Sequence, residues 1–261
     1  MILATILSSL FTIYPWNVGG SVYGTSGEYS DGGSSHSTSA YFSMDRRSKD
    51  GFVIGYEDLM IKKDDETYRQ FNWVGRDIFW IKPSLRLVGL IGHLQSSNSD
   101  DAWLGGGKIE GDLPWLKYSA GYVRSDYQLW LPYSLRDAWK NIIIDQVEIQ
   151  ISRKLGPIVM RLGAINQTMG DTFYSMNHVA LVGKIKNKIT GSFLFSAGES
   201  LYAVDTDLLI INNNPEILTQ SMAIRATYKL NPNIYISGIW AQHKYNPYDI
   251  QYLSIGLSGR F

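Results

Sequence analysis

The run from Gln251 to Phe261 alternates, with Leu253, Ile255, Leu257 and Phe261 on one side and Ser254, Gly256, Ser258 and Arg260 on the other. Period-two alternation marks a strand that separates two different surroundings. An aromatic at the end of such a run is what the closing strand of a bacterial outer-membrane β-barrel carries, with its apolar stripe against lipid and its aromatic at the interface. The ending resembles the C-terminal signal read by the barrel-insertion machinery. Leu253, Ile255, Leu257 and Phe261 are therefore expected to act as the assembly signal.

Turn chemistry cuts the rest of the chain into similar runs of about ten to fourteen residues, the length that a tilted strand needs to cross a bilayer. In the first half they are Trp16 to Tyr29, Ser37 to Arg47, Phe52 to Ile61, Thr67 to Trp80, Leu85 to Gln95, Asp101 to Glu110 and Trp115 to Tyr127. In the second half they are Ile142 to Arg153, Ile158 to Gln167, His178 to Lys186, Ile189 to Ala203, Thr219 to Leu230, Ile234 to His243 and a last strand from Tyr248. Thr219 to Leu230 shows the pattern most clearly: Met222, Ile224, Ala226 and Tyr228 oppose Ser221, Arg225, Thr227 and Lys229. The expectation is an all-β, transmembrane antiparallel barrel of about fourteen strands, even-numbered as single-chain bacterial barrels are, with roughly two strands of latitude.

Connection lengths give the orientation. Counting back from a periplasmic C-terminus, Asn231 to Asn233, Asn187-Lys188, Leu155 to Pro157, Gly111 to Pro114, Ile81 to Ser84 and Ser48 to Gly51 fall on the periplasmic side and are short. Trp130 to Asn141, Thr168 to Asn177 and Tyr202 to Leu218 fall outside and are expected to be long loops. No linker or composition shift divides the chain, so residues 1–261 read as one domain. Residues 1–13 are apolar but lack a positive leader and a small-residue cleavage site, which leaves either a residual signal or a segment preceding the first strand.

Composition excludes several classes. The chain has no cysteine, so neither a disulfide framework nor a thiolate metal site can be drawn. Acidic and basic residues balance at 24 each, with no basic surplus for nucleic acid. No run approaches the length of a spanning helix, as expected where only alternate residues face lipid. A soluble sandwich or propeller would carry more charge on the face opposite the apolar one and would show a blade repeat. Trp16, Trp73, Trp80, Trp115, Tyr127, Trp130, Trp240 and Tyr248 lie at strand ends and suit interfacial girdles.

Few residues point to chemistry. A wall-mounted lipid hydrolase needs a Ser and a His on one face of the barrel. His36 and His93 stand at the wrong parity to Ser37 and Ser96, so no catalytic residue is assigned. The scattered histidines and the loop acids Glu28, Asp31, Asp64, Asp65, Asp100 and Asp101 form no metal-ligand spacing, and no cofactor is expected. Gly105 to Gly107 lacks the lysine and hydroxyl of a phosphate loop and is expected to relieve packing where a strand bends.

The informative charges lie on the polar faces of strands. Arg86, Lys117, Glu148, Arg161, Lys184, Arg225, Lys229 and Arg260 share parity with Ser, Thr, Gly or Gln, and Glu57 and Asp45 add acidic candidates. On the lipid face near midplane, each basic residue would cost about 2–4 kcal/mol. They are therefore expected to line the lumen together with Tyr23, Tyr41 and Tyr252. There they either pair across the lumen or leave a basic wall.

Gly121-Tyr122-Val123-Arg124-Ser125-Asp126-Tyr127, Ser196-Ala197-Gly198-Glu199 and Gly256-Leu257-Ser258-Gly259-Arg260-Phe261 resemble motifs of the YaiO-like outer-membrane β-barrels, over roughly the C-terminal half of the chain. Gly259 stands where that family usually has an aromatic. The resemblance implies an outer-membrane barrel without established catalytic residues, sometimes tied to surface-polysaccharide systems. The reading that follows is a channel or export pore for a hydrophilic solute or surface polysaccharide. Its rivals are a non-conducting structural or adhesin barrel, a lipid hydrolase, and a transporter of hydrophobic substrates should the lumen be apolar. The expected partners are outer-membrane lipids and lipopolysaccharide, the insertion machinery and either a polysaccharide or a periplasmic export partner, with no nucleic acid.

Overall fold

The computed structural model describes residues 16–46, 50–97, 101–130, 139–201, 204–205, 210–211, 214 and 216–260. The strands of the first half are β1 (Asn17–Tyr29), β2 (Ser34–Arg46), β3 (Asp50–Lys63), β4 (Glu66–Lys82), β5 (Leu85–Ser96), β6 (Asp101–Asp112) and β7 (Lys117–Trp130). They continue with β8 (Trp139–Leu155), β9 (Ile158–Met169), β10 (Thr172–Lys186), β11 (Ile189–Ser200), β12 (Val204–Asp205), β13 (Ile210–Ile211), β14 (Leu218–Lys229), β15 (Ile234–Tyr245) and β16 (Asp249–Arg260). All but β12 and β13 join in one closed barrel of fourteen strands, each antiparallel to its chain neighbour. The β12–β13 pair is a small ribbon inside the connection from β11 to β14.

Closure is made by β1 against β16, in register from Gly19 opposite Arg260 to Tyr29 opposite Ile250. A closed sheet leaves no edge, so every ladder amide and carbonyl finds a partner within the protein, as a hydrocarbon surrounding demands. The outward residues are apolar on strand after strand. Val22, Phe42, Ile54, Leu87, Ile149, Leu181, Ile224 and Ile236 are among them, and Leu253, Ile255 and Leu257 complete the stripe at the seam. Ile255 is 63% exposed, which in water would be a liability and in a bilayer is a lipid contact. Phe261 lies outside the described residues.

Both ends of the described chain lie at one end of the barrel, with the short connections 83–84, 113–116, 156–157, 187–188 and 230–233. This is the short-turn end, periplasmic in barrels of this kind. The opposite, loop end carries 30–33, 64–65, 170–171, 201–217 and 246–248.

One expected loop is absent. Thr168 to Asn177 is not a long excursion but the junction of β9 and β10, which turn through Gly170-Asp171 alone. Gly-Asp is a two-residue hairpin sequence because the glycine takes a positive φ, here 58°. The polar residues Ser175 and Asn177, read as loop, sit on the outer face of β10 above the apolar belt. The expected loop between Trp130 and Asn141 falls mostly outside the described residues. Gly105 to Gly107 lies within β6, in unbroken register with β5 and β7, and a Cβ on Gly106 would stand 2.2 Å from the Tyr122 carbonyl oxygen.

Candidate functional site: the barrel interior

Opposed residues in an antiparallel ladder share a face, so the pairings fix which side chains point inward. From β4 to β10 the inward side chains of the loop half are largely apolar, with Gln70, Asn72, Ser96, Ser125, Gln146 and Gln167 as buried polar members. Val74, Leu90, Leu94, Ala102, Leu104, Val123, Tyr127, Ile144 and Tyr174 are all buried and form one cluster. On β14, β15, β16, β1 and β2 the inward set is richer in Ser, Thr, Gly and Tyr, with Arg225 and Lys229: Ser237, Ser254, Ser258, Ser21, Thr25, Ser39 and Ser43 are among them, interspersed with Ala223, Ile239, Ala241, His243 and Ile250. The interior thus has an apolar wall and a polar wall.

Described residues of the connection between β11 and β14 pack against the apolar wall. Leu201 and Val204 belong to the same cluster, and Ile217 packs against it. A bulge launches the segment: register shifts between Ala197 and Ser200, with Gly198 at φ 132°. An added Cβ there would stand 2.2 Å from the Ser175 carbonyl oxygen, so only glycine fits.

Two buried glutamines pin the loop backbone. Gln146 Nε2 donates to the Val204 carbonyl at 2.8 Å, and the Val204 amide donates to Gln146 Oε1 at 3.2 Å. Gln167 Oε1 accepts from the Leu201 amide at 2.9 Å, and its Nε2 donates to Gln146 Oε1 at 3.1 Å. The amide side chains thus stand in for a strand partner, satisfying backbone groups that the apolar surroundings would leave unpaired. At the loop end of the polar wall, Tyr29, Tyr245, Tyr248 and Tyr252 gather with Met176, Leu218 and Ile250. Asn214 of the connection hydrogen-bonds the Tyr248 hydroxyl at 2.9 Å.

Each charged or aromatic residue singled out in the sequence has a definite place. Tyr23 and Tyr41 face inward and meet edge to face, with ring centroids 6.2 Å apart. Tyr252 points inward beside His243, at 5.2 Å between centroids. Glu57 accepts from Asn72 at 3.1 Å, and Glu148 is buried and partnered. Arg86 pairs with Glu110, which also holds the buried Lys108 at 3.0 Å. Arg161 faces inward opposite Ala180 and is partnered.

The remaining candidates stand at the short-turn rim. Arg260 pairs with Asp45 at 2.9 Å, and Lys117 with Asp112 at 3.0 Å. Lys184 is exposed there on β10, and Lys229 lies over the Tyr235 ring at 5.9 Å. Three expected girdle aromatics are misplaced, and the Trp130 side chain lies outside the described residues. Tyr248 joins the tyrosine cluster at the loop end. Tyr127 is fully buried in the interior, and Trp80 turns inward under the Arg86 guanidinium.

Sequence reasoning passed over Gln146, Gln167, Lys108 and Arg76. For two of them the parity was available: on the inward face Gln146 lies between Ile144 and Glu148, and Gln167 between Ile165 and Met169. The outer face also holds charges, Asp58 with Arg69 at 2.6 Å and Arg124 with Asp145 at 3.6 Å. They lie toward the loop end of their strands, above the apolar belt. His36 and Ser26 oppose one another on the outer face of β1 and β2, but no hydrogen bond joins them among the described residues.

No family model matches the chain, and no curated protein matches it in sequence. Solved structures do. CymD, a monoaromatic hydrocarbon channel, superposes with a TM-score of 0.57 at 9% identity, over 94% of this chain and 88% of that one. The NanC porin gives 0.51 at 9% identity, over 93% and 100%. A loop-deleted OmpT, an outer membrane protein of Vibrio cholerae, gives 0.51 at 9%, over 94% and 99%. The fold is that of a bacterial outer-membrane β-barrel. At such identity the likeness is one of fold alone, and the wall chemistry carries the functional argument.

Proposed function

We propose that this barrel is a narrow channel for a hydrophilic solute, with passage along the polar wall of β14, β15, β16, β1 and β2. The observation that carries this reading is the asymmetry of the inserted connection. Its described ties run to Gln146 and Gln167 on the apolar wall, and it meets the serine- and tyrosine-rich wall only at the loop end, where Asn214 bonds Tyr248. Fourteen strands enclose a lumen wider than the side-chain-filled eight-stranded case. Carriage of a surface polysaccharide, in keeping with the YaiO-like resemblance, is the narrower form of the same reading, and Tyr23 and Tyr41 would offer it stacking surfaces. Nothing in the placement of Ser26 and His36 supports hydrolysis.

A second reading follows from the same loop. If the connection together with the Tyr29, Tyr245, Tyr248 and Tyr252 cluster seals the mouth, the barrel is structural. Conductance of the purified protein in a planar bilayer separates the two. The channel reading expects small, steady unitary currents; silence at all voltages overturns it and promotes the structural barrel.

A further inference from the structure

Arg225 differs from most of the interior cations. Its Nη2 donates to the Tyr23 hydroxyl at 3.2 Å and to Ser237 Oγ at 3.3 Å, both neutral, and its buried Nε has no hydrogen-bond partner. The carboxylates of the inner wall below the loop rim are engaged elsewhere. Asp45 takes Arg260 and Asn17, Glu57 takes Asn72, and Glu110 takes Arg86 and Lys108. Asp112 takes Lys117, and Glu148 is partnered. Arg225 is half-buried, and among the described residues its guanidinium meets neutral hydroxyls and no carboxylate, so its charge is available to an anion.

The surroundings are built for the same end. Tyr23 lies flat across β16: a Cβ on Gly256 would stand 2.0 Å from its ring, so glycine at that position lets the ring reach over toward Arg225. Tyr41 braces the other side of the ring. Thr227 and Ser237 share a hydrogen bond at 3.0 Å beneath the guanidinium. Two pleats nearer the short-turn end on the same face, Lys229 has the Tyr235 ring as its partner and adds a second cation to the path. A planar guanidinium with flanking hydroxyls matches the geometry of an oxyanion.

We propose that Arg225, with the hydroxyls of Tyr23 and Ser237, forms an oxyanion-binding subsite on the polar wall, taking a carboxylate or phosphate group of the transported solute. The inference rests on the channel reading for its purpose but not for its test. The folded full-length barrel in detergent is titrated calorimetrically with inorganic phosphate, and separately with acetate, at constant ionic strength. The wild type binds at least one of them, and the tighter of the two names the oxyanion. Arg225→Gln weakens binding about tenfold or more, and Tyr23→Phe, which keeps the ring and loses the hydroxyl, roughly threefold. Arg225→Lys gives an intermediate value, and Arg124→Gln on the outer face gives none.

Failure to bind either anion overturns the subsite, as does Arg225→Gln with wild-type affinity. Should Arg225→Gln fail the heat-modifiability test of folding, Arg225→Lys and Tyr23→Phe decide, and wild-type affinity in both overturns the subsite. A barrel that binds phosphate yet is silent in bilayers keeps the subsite and loses the channel. One that conducts while Arg225→Gln leaves both affinity and anion-to-cation permeability unchanged keeps the channel and loses the subsite.

Discussion

The β4–β10 wall and the wall running from β14 through β16 to β2 are built from the same antiparallel ladder, yet they meet the interior in opposite ways. On the first, Leu90, Leu94, Leu104 and Ile144 face inward and are covered by Leu201 and Val204. On the second, Ser21, Ser39, Ser237 and Ser254 face inward around Tyr23, Tyr41 and Arg225. A strand with apolar residues on both faces has lipid on one side and needs protein on the other. Burial of the inner set then stabilises a loop that would otherwise stay in water. The wall with one polar face needs no such cover. The comparison teaches that lumen polarity is a local property of each wall, and that the direction in which a loop folds follows from it.

The largest expected effect comes from destroying the asymmetry. Replacing residues 202–216 by a short Gly-Ser linker uncovers the apolar wall and widens the lumen. Unitary conductance should rise about twofold or more in a barrel of this strand number, and the exposed wall should take up an apolar fluorescent dye. Unchanged conductance with no dye binding would mean that the connection neither occupies the path nor covers the wall.

Much of this was legible in residues and some was not. The strand count follows from turn chemistry and run length, and the seam stripe from Leu253, Ile255 and Leu257. The β9–β10 hairpin was missed because Ser175 and Asn177 read as loop, although on the outer face above the belt a polar residue carries no penalty. Tyr127 was read as a girdle aromatic for its place near a strand end, yet parity puts it with Ser125 and Val123 on the inside. The apolar wall itself was written in β5: Leu87 and Ile91 alternate with Val88, Leu90 and Leu94, so both faces are apolar. Continuous apolar runs mark strands buried on both sides. The bulge at Gly198 and the pairing of Gln146 with Val204 are long-range features, and no local pattern announces them.

A smaller effect separates the inner apolar face from the outer one. Leu94 is fully buried, whereas Leu257 is 53% exposed on the lipid side. Leu94→Ala opens a cavity between wall and loop and should destabilise the barrel by about 2–5 kcal/mol. Leu257→Ala exchanges side-chain methyls for lipid chains that are equally apolar, so its cost should be well below that. Reversible denaturant unfolding in vesicles measures both. Equal losses would show that Leu94 is not packed as a core residue.

The smallest effect contrasts the ties that hold the loop end of each wall. On the polar side, Lys63 Nζ reaches Asp31 in the β1–β2 turn at 2.5 Å, and that hydrogen bond holds the Asp31 carboxyl below its usual range. On the apolar side, the ties are the neutral amides of Gln146 and Gln167. A carboxyl with a lowered folded value contributes stability above its unfolded pKa and loses it as pH falls through the folded value. The 30–33 turn should therefore hold steady from pH 7 down to about 4 and loosen only below that. The 201–217 connection should show no such step from its amide pins. Hydrogen exchange at the Gly33 and Ser34 amides against those of Leu201 and Val204 reads the difference. Because the Lys63–Asp31 pair is exposed, 1 M salt should mimic acid at the turn and Lys63→Met should leave barrel unfolding where it was. A turn that loosens near pH 6, or a connection that loosens with it, would show that the two walls share their ties.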